Sequence, residues 1–315
     1  MTGDVKHIPV LAEETLSLLM PDCSVPWRVI DGTVGFGGHS ARILERNPRA
    51  EILGIDRDEC ALSYTAERLA AAGSRIRLMH DAFSNLAPCA RACGWNDGVD
   101  GILLDIGVSS VQLDDPERGF SWKGDGPLDM RMDRSRGCTA ADLLMESSEA
   151  ELARIFRDYG DFRESAALAR AVTEERKKAP FVRCAAFTAL CDRVLGGGRK
   201  KSGPPAPTLP YQALRIAVNG ELKELEDALA GALEVLRPGG RLCVISFHSL
   251  EDRIVKNFFR DEAALCKCPP GLPVCVCGWK PRLRILTKKP VTASEAELAA
   301  NSRCACAKLR AAERI

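Results

Sequence analysis

The chain has 315 residues, of which 46% are hydrophobic, and a formal net charge of +1. This balance argues against a protein that coats nucleic acid non-specifically, because such proteins carry a broad basic surface, although a local basic patch is compatible with it. We find no apolar run of signal-peptide or membrane-span length. The fourteen cysteines are therefore expected to be cytosolic thiols or metal ligands rather than disulfides, in a cytoplasmic protein without membrane contact.

The region 27–107 alternates short apolar runs with amphipathic stretches, which is typical of βαβ units and a parallel sheet. Strands are predicted at 27–30, 52–55, 75–79 and 101–104. Helices are predicted at 40–46 and 58–71, and a further helix over 10–20 leans on the sheet. The pattern indicates a Rossmann-like α/β core.

After residue 107 the rhythm changes. A polar loop rich in Gly, Asp and Arg covers 113–137, and capping-box patterns at Thr139 and Ser148 introduce a helical stretch that ends in a mobile linker at 196–205. A long helix over 211–236, a turn at 237–240, a strand over 241–246, a helix over 250–260 and short strands at 282–286 and 308–314 complete the prediction. The core is assigned to 1–112 and 209–315, and the inserted domain to 113–208.

The glycine-rich turn after the first strand offers backbone N–H groups to a ligand. Gly35 and Gly37 match the first two positions of the dinucleotide fingerprint, but Ser40 occupies the third, which weakens a nicotinamide or flavin interpretation. A purely structural tight turn is the alternative.

Three further strand ends point to the same crevice, because ligands of open parallel sheets bind at the carboxyl ends of the strands. Asp56 ends the second strand, about 20 residues past the glycine turn. A carboxylate at this position accepts hydrogen bonds from the ribose hydroxyls of a nucleoside cofactor. Phe83 follows the third strand and either lies against an adenine ring or belongs to the core. Asp105 ends the fourth strand.

Ser246 and His248 lie at the end of a later strand, followed by acidic residues. A hydrolase is disfavoured, since the serine lacks the Gly-x-Ser-x-Gly elbow. The alternative is a polar pocket for an acceptor.

Two close cysteine pairs, Cys266 with Cys268 and Cys275 with Cys277, are candidate zinc ligands, although their spacing is tighter than usual. Reduced thiols without a metal are the other interpretation, and no metal is assigned to the protein.

Basic residues concentrate outside the core, together with aromatic residues, which suits phosphate contact and base stacking. These residues are Arg118, Arg131, Arg134 and Arg136 in the loop and Arg199, Lys200 and Lys201 in the linker. Contact with RNA is therefore predicted for the insertion.

Several long strings of residues together resemble one family from end to end. They are KHIPVL (6–11), DGTVGFGGHS (31–40), IDRD (55–58), GILLDIGVSS (101–110), QLDD (112–115), RGFS (118–121), GPLDMRMD (126–133), QALRIAVN (212–219) and ISFHSLEDR (245–253). The chain is similar to the bacterial 16S ribosomal RNA cytosine-N4 methyltransferases.

The resemblance implies a class I methyltransferase core with a mostly parallel seven-stranded sheet and an inserted helical domain. It implies transfer of a methyl group from S-adenosylmethionine to N4 of a cytidine in the decoding region of 16S ribosomal RNA within the small subunit. It leaves monomer and homodimer open. The implied cofactor contacts are Gly37, Gly38, His39, Asp56, Phe83, Asp105 and Gln112.

Methyl transfer from a sulfonium is an in-line displacement, and the cytosine amine is a poor nucleophile that benefits from a hydrogen-bond acceptor. Asp105, Ser246 and His248 are the candidates for this catalytic role. The base must leave its stack, and Phe120, Trp122, Phe247 or Tyr211 is expected to hold it. A small-molecule methyltransferase and a non-catalytic RNA-binding factor remain as alternative functions.

Overall fold

The computed structural model describes residues 9–196, 204–269, 274 and 276–315. The chain divides into two compact units. The first comprises the residues up to Gly107 together with Leu222–Ile315, and the second comprises Val108–Glu221.

The strands and helices are numbered here in chain order. The strands are β1 Arg28–Asp31, β2 Glu51–Asp56, β3 Ile76–His80, β4 Val99–Asp105, β5 Leu236–Ser246, β6 Leu283–Ile285 and β7 Lys308–Arg314. The helices are α1 Ala12–Leu19, α2 Gly38–Arg46, α3 Glu59–Arg68, α4 Leu86–Ala92, α5 Ser110–Asp114, α6 Ala140–Glu146, α7 Glu149–Gly160, α8 Ser165–Glu175, α9 Cys184–Leu195, α10 Thr208–Asn219, α11 Glu221–Val235, α12 Ser249–Glu262 and α13 Glu295–Ala300.

The first unit contains one seven-stranded sheet of order β3-β2-β1-β4-β5-β7-β6. Strands β1 to β5 are parallel, whereas β7 runs antiparallel to both β5 and β6. The predicted mostly parallel, seven-stranded sheet is confirmed, including both tail strands.

Both faces of the sheet are covered, which explains why its strands have continuous apolar sequences. Val29 packs in a cluster with Leu19 of α1 and Ile43 of α2. The next residue, Ile30, points to the opposite face and packs in a cluster with Leu86 of α4 and Leu229 of α11.

The second unit is helical, as predicted, around a core formed mainly by α6 to α10. Thr139 caps α6 through a reciprocal capping box with Asp142, and Ser148 caps α7. The polar loop at 113–137 contains the end of α5 and a single 3-10 turn, Pro116–Arg118.

Two predictions about the elements are wrong. The single helix over 211–236 is two helices, because Gly220 adopts a left-handed conformation (φ 62°) that ends α10 before α11 begins. As a result α10, assigned to the core from the sequence, lies in the second unit. The predicted turn at 237–240 does not precede the strand but lies within β5. It interrupts the pairing of β5 with β4, since Leu236 pairs with Val99 whereas Arg241 pairs with Gly101.

The elements α4, α5 and α13 were not predicted. Within the described ranges, no helix combines the length and the apolar character needed to cross a membrane.

Two glycines in the second unit allow the cost of a positive φ to be measured with and without a steric clash. Gly119 and Gly137 both have positive φ (72° and 80°), but a Cβ on Gly119 would lie 2.2 Å from the carbonyl oxygen of Pro127, whereas one on Gly137 would meet no described atom within 4 Å. We predict that Gly137→Ala costs about 1 kcal/mol of unfolding free energy through backbone strain alone. Gly119→Ala should cost at least about 3 kcal/mol, since a backbone atom must also move.

Urea unfolding followed by circular dichroism measures both costs. Equal losses in the two variants would contradict the steric argument.

Candidate functional site

Three carboxylates lie at the carboxyl ends of three neighbouring strands. Asp31 ends β1, Asp56 ends β2 and Asp105 ends β4, and these strands are adjacent in the order β2-β1-β4. Between β1 and β4 the order of the parallel strands reverses, since β1 to β3 are added toward one edge of the sheet and β4 and β5 toward the other. In open α/β sheets this switch point is where the crevice for a ligand forms.

The glycine loop between β1 and α2 takes a conformation that requires glycine. Gly35 and Gly37 have φ values of 48° and 73°, and Gly37 is the N-cap of α2. A Cβ on Gly37 would also lie 3.0 Å from the side chain of Thr65. The loop is therefore fixed both by its dihedral angles and by its packing.

Side chains from β2 and α3 hold the backbone of this loop. The Gly35 N–H donates to Asp56 Oδ2 (2.8 Å), while Thr65 Oγ1 donates to the Gly35 carbonyl (2.6 Å) and Arg68 donates to the Phe36 carbonyl (2.8 Å). Asp56 is thus placed beside the loop, as predicted. The roles of Thr65 and Arg68 were not predicted, because helical periodicity does not reveal which polar side chain reaches a distant carbonyl.

A buried cluster of charged groups bridges β1, α2 and β4. His39 Nε2 lies 3.5 Å from Asp105 Oδ2, and His39 is only 6% exposed. Asp31 accepts a hydrogen bond from Ser40 Oγ (2.7 Å) and is also buried. Asp31 was not predicted as a site residue, although its position directly before the glycine turn was a usable signal.

Burial and mutual interaction shift the titration of this cluster. Burial raises the pKa of Asp31 to about 6, against the lowering effects of His39 and Ser40. Burial alone would lower the pKa of His39, but its contact with Asp105 and the charge of Asp31 raise it above its ordinary value. Burial also raises the pKa of Asp56, against its backbone hydrogen bonds from Asp58 and Gly35.

Asp105 is oriented by its backbone and leaves one oxygen available. Its N–H donates to Thr33 Oγ1 (2.7 Å), which ties the end of β4 to the glycine loop. Its Oδ1 atom is buried and has no hydrogen-bond partner within the described part of the chain. A buried carboxylate oxygen of this kind accepts a hydrogen bond from a cationic or amino group of a ligand.

Phe83 is 7% exposed and belongs to the hydrophobic cluster between the sheet and α4 and α11. The guanidinium of Arg57 lies 5.9 Å from the centre of its ring. The sequence left open whether Phe83 contacts an adenine ring or belongs to the core. Its contacts in this structure are those of a core residue.

Ser246 and His248 have structural contacts at the end of β5. Ser246 is buried and its Oγ donates to the Lys308 carbonyl on β7 (3.4 Å). His248 caps α12 in a reciprocal capping box with Glu251, whose carboxylate accepts from the backbone of Phe247 (2.8 Å). The capping box explains the Ser-His-acid pattern without a catalytic relay.

Gln112 lies in the second unit and is buried there. Its side-chain oxygen accepts from the Ser109 N–H (3.0 Å), and the Ser109 hydroxyl in turn caps α5. This capping box fixes the start of α5 immediately after β4.

The arginines of the polar loop hold the loop together. Arg118 is buried and donates to the Met132 carbonyl (3.0 Å). Arg131 makes two parallel hydrogen bonds with Asp129 (2.7 and 3.0 Å). Burial would raise the pKa of Asp129, but Arg131 lowers it below its ordinary value. These contacts give Arg118 and Arg131 a structural role in the loop, and their predicted contact with RNA stays a prediction.

Arg134 and Arg136 are largely exposed on the same loop, in ion pairs with Asp129 and Asp133. Arg199, Lys200 and Lys201 lie outside the described residues.

The predicted base-stacking residues also divide into two groups. Phe120 and Tyr211 are buried in the core of the second unit, and the Tyr211 hydroxyl donates to the Cys184 carbonyl (3.1 Å). They are not available as stacking surfaces, whereas Trp122 and Phe247 are partly exposed.

The sheet order, the glycine loop after β1 and the acid at the end of β2 define a protein of the class I methyltransferase type. The chain belongs to the MraW methylase family, whose model matches residues 4–315. It is 47% identical over 310 residues to ribosomal RNA small subunit methyltransferase H of Heliobacterium modesticaldum, covering 98% of both chains. It is 48% identical over 320 residues to the protein of that name from Syntrophotalea carbinolica, covering 100% of both. The family predicted from the sequence is confirmed.

The raised pKa of Asp31 predicts a specific pH dependence of stability. A folded-state pKa of about 6 against an ordinary 3.8 means that the folded protein holds this proton more tightly than the unfolded chain. The stability from the protonated acid is therefore present at low pH and is lost as the pH rises through about 6. Relative to Asp31→Asn, the wild type should lose roughly 2 kcal/mol of unfolding free energy between about pH 4.5 and 7.5.

Chemical unfolding of both proteins across this range measures the difference. Ser40→Ala serves as the control, because loss of the hydroxyl that favours the carboxylate should move the decline to higher pH. A wild type whose unfolding free energy stays constant or rises relative to that of Asp31→Asn over this range would contradict the assignment.

Proposed function

We propose that this protein transfers the methyl group of S-adenosylmethionine to the exocyclic N4 of a cytidine in the decoding region of 16S ribosomal RNA, in the small subunit and in the cytoplasm. Membership of a methylase family supports methyl transfer, and the name shared by its relatives supports the small-subunit RNA as substrate. The observation that carries the proposal is the buried oxygen of Asp105, which lies at the switch point beside the glycine loop.

The residues at the carboxyl edge of the sheet fit a nucleoside donor with an amino-acid tail. Asp56 uses one lone pair of each oxygen for the backbone and keeps others for ribose hydroxyls. Asp105 Oδ1 accepts from the ammonium group of the tail or from the amine that is to be methylated. When bound, the donor supplies an electrophilic methyl group on a sulfonium. Further contacts are proposed for Gly37, Gly38, His39 and Phe83.

The acceptor amine needs a group that accepts its hydrogen bond and then its proton. Among the three candidates, Ser246 and His248 already have structural partners in the β7 backbone and in the α12 cap. Asp105 is therefore our choice for this role, with His39 as a positioning residue that holds its second oxygen. The partly exposed Phe247, directly after the end of β5, is proposed to hold the extruded base.

A product analysis tests the reaction. Purified protein, labelled S-adenosylmethionine and small subunits that lack the modification should yield one labelled cytidine, with the label on N4. Label on a ring carbon would defeat the acceptor assignment. Methylation of free nucleosides, with none on subunits, would favour the small-molecule methyltransferase, and binding without transfer would favour the assembly factor.

A second prediction separates the two possible roles of Asp105. With Asp105→Asn, kcat should fall at least 100-fold even at saturating donor if the carboxylate takes the proton. If it only binds the donor, KM for the donor should rise while kcat is retained. The matched control is Asp97→Asn, which changes an exposed acid at the amino end of the same strand. Wild-type kinetics for Asp105→Asn would remove Asp105 from the mechanism.

A further inference from the structure

Polar contacts join the two ends of the segment between α12 and β6. Its base is closed where Arg282 N–H donates to the Glu262 carbonyl (2.8 Å) and the Arg282 guanidinium pairs with the Glu262 carboxylate. Trp279 Nε1 donates to the Ala264 carbonyl (2.8 Å). In contrast, Leu265 and Val276 of this segment are exposed, so neither side chain contributes apolar burial.

Three cysteines meet in this loop. The sulfur atoms of Cys266, Cys268 and Cys277 all lie within 4.8 Å of one another. Cys266 Sγ and Cys277 Sγ are 3.8 Å apart. Two Zn–S bonds of about 2.3 Å at the tetrahedral angle separate their sulfur atoms by about 3.8 Å, so this spacing is that of ligands to one zinc ion.

Each of the three sulfur atoms also receives a backbone N–H. Cys268 N–H points to Cys266 Sγ (3.3 Å), Val276 N–H to Cys268 Sγ (3.4 Å) and Lys267 N–H to Cys277 Sγ (3.5 Å). A neutral thiol is a weak acceptor, whereas a metal-bound thiolate is stabilised by such hydrogen bonds. The loop therefore offers the surroundings that a thiolate cluster needs.

One basic side chain, Lys267, lies between two of these cysteines in the sequence, and it also pairs with Glu262 (3.4 Å). Three thiolates on a divalent zinc ion leave a net negative charge, and Lys267 lies within the cluster sequence, 3.3 Å from the centre of the Trp279 ring. Cys266 and Cys277 are exposed, so they do not serve as small apolar core residues.

From these observations we propose that Cys266, Cys268 and Cys277 bind a structural zinc ion that fixes the loop between α12 and β6. Each thiol gives up its proton on binding, and the ion joins three residues of the segment to one another. The sequence has another cysteine at position 275, which was a candidate ligand and lies outside the described residues. The proposal does not depend on the methyltransferase activity.

The test measures metal in the intact, untagged chain, purified with a reductant and without added metal. Elemental analysis should find about one zinc per chain, and Cys268→Ser and Cys277→Ser should each lower this at least tenfold. Cys306→Ser is the matched control, since it changes an exposed cysteine of another Cys-x-Cys pair and should keep the zinc. Circular dichroism melts should show that the variants retain the folded core, while the loop becomes sensitive to protease.

Cobalt titration of chelator-treated wild type gives an independent readout that needs no variant. One equivalent of Co²⁺ should produce thiolate charge-transfer absorption, and zinc should displace it. Three outcomes would overturn the proposal: wild-type protein without zinc or cobalt absorption, zinc retained by both serine variants, or a disulfide between Cys266 and Cys277 found by mass spectrometry under reducing purification.

Discussion

The parallel pairing of β1 with β4 is the constraint on which the candidate site depends. Asp31 pairs with Leu103, and the Gly32 N–H continues the ladder by donating to the Leu103 carbonyl (2.9 Å). A Cβ on Gly32 would lie 2.6 Å from a methyl group of Leu104, so only glycine lets the loop leave the strand this close to β4. A shift of one residue in this register would turn Asp31 to the other face of the sheet and dismantle the buried cluster.

The rest of the site is fixed before a donor binds. Thr33 ties Asp105 to the loop, Asp56 ties the loop to β2, and Thr65 and Arg68 anchor its carbonyls to α3. Ordering these groups during folding removes an entropic cost from ligand binding. The fixed arrangement buries Asp31 and raises its pKa, so the ionised acid lowers the stability of the folded protein. The protein thus loses some stability at Asp31 and gains a preformed site.

The sequence predicted the elements whose signals are local or cumulative. The strands that were predicted agree with the structure because coverage of both faces demands long apolar runs, and the family was recognisable because its strings of residues are long. The sequence did not reveal the break at Gly220, since one glycine interrupts neither the amphipathic pattern nor its period. The sequence also suggested an RNA-binding role for Arg118 and Arg131. It did not reveal the hydrogen bonds that hold these side chains in the loop, because those bonds depend on how the loop folds. The capping role of His248 was not predicted, because a histidine that caps a helix has no distinct sequence signal.

The charge balance of the buried cluster bears directly on the proposed donor. Asp31 and Asp105 share one imidazole, His39, so with both acids ionised the cluster keeps a net negative charge even when His39 is protonated. S-adenosylmethionine carries a sulfonium and an ammonium against a single carboxylate, and therefore a net positive charge. A cation beside the cluster favours the ionised acids and disfavours the imidazolium, so binding should lower the pKa of Asp31 and that of His39 together. The electrostatic strain in the free protein is thus of the sign that a cationic donor relieves, whereas the demethylated product, which lacks the sulfonium charge, relieves it less. The same buried acids that cost stability therefore favour the donor over the product.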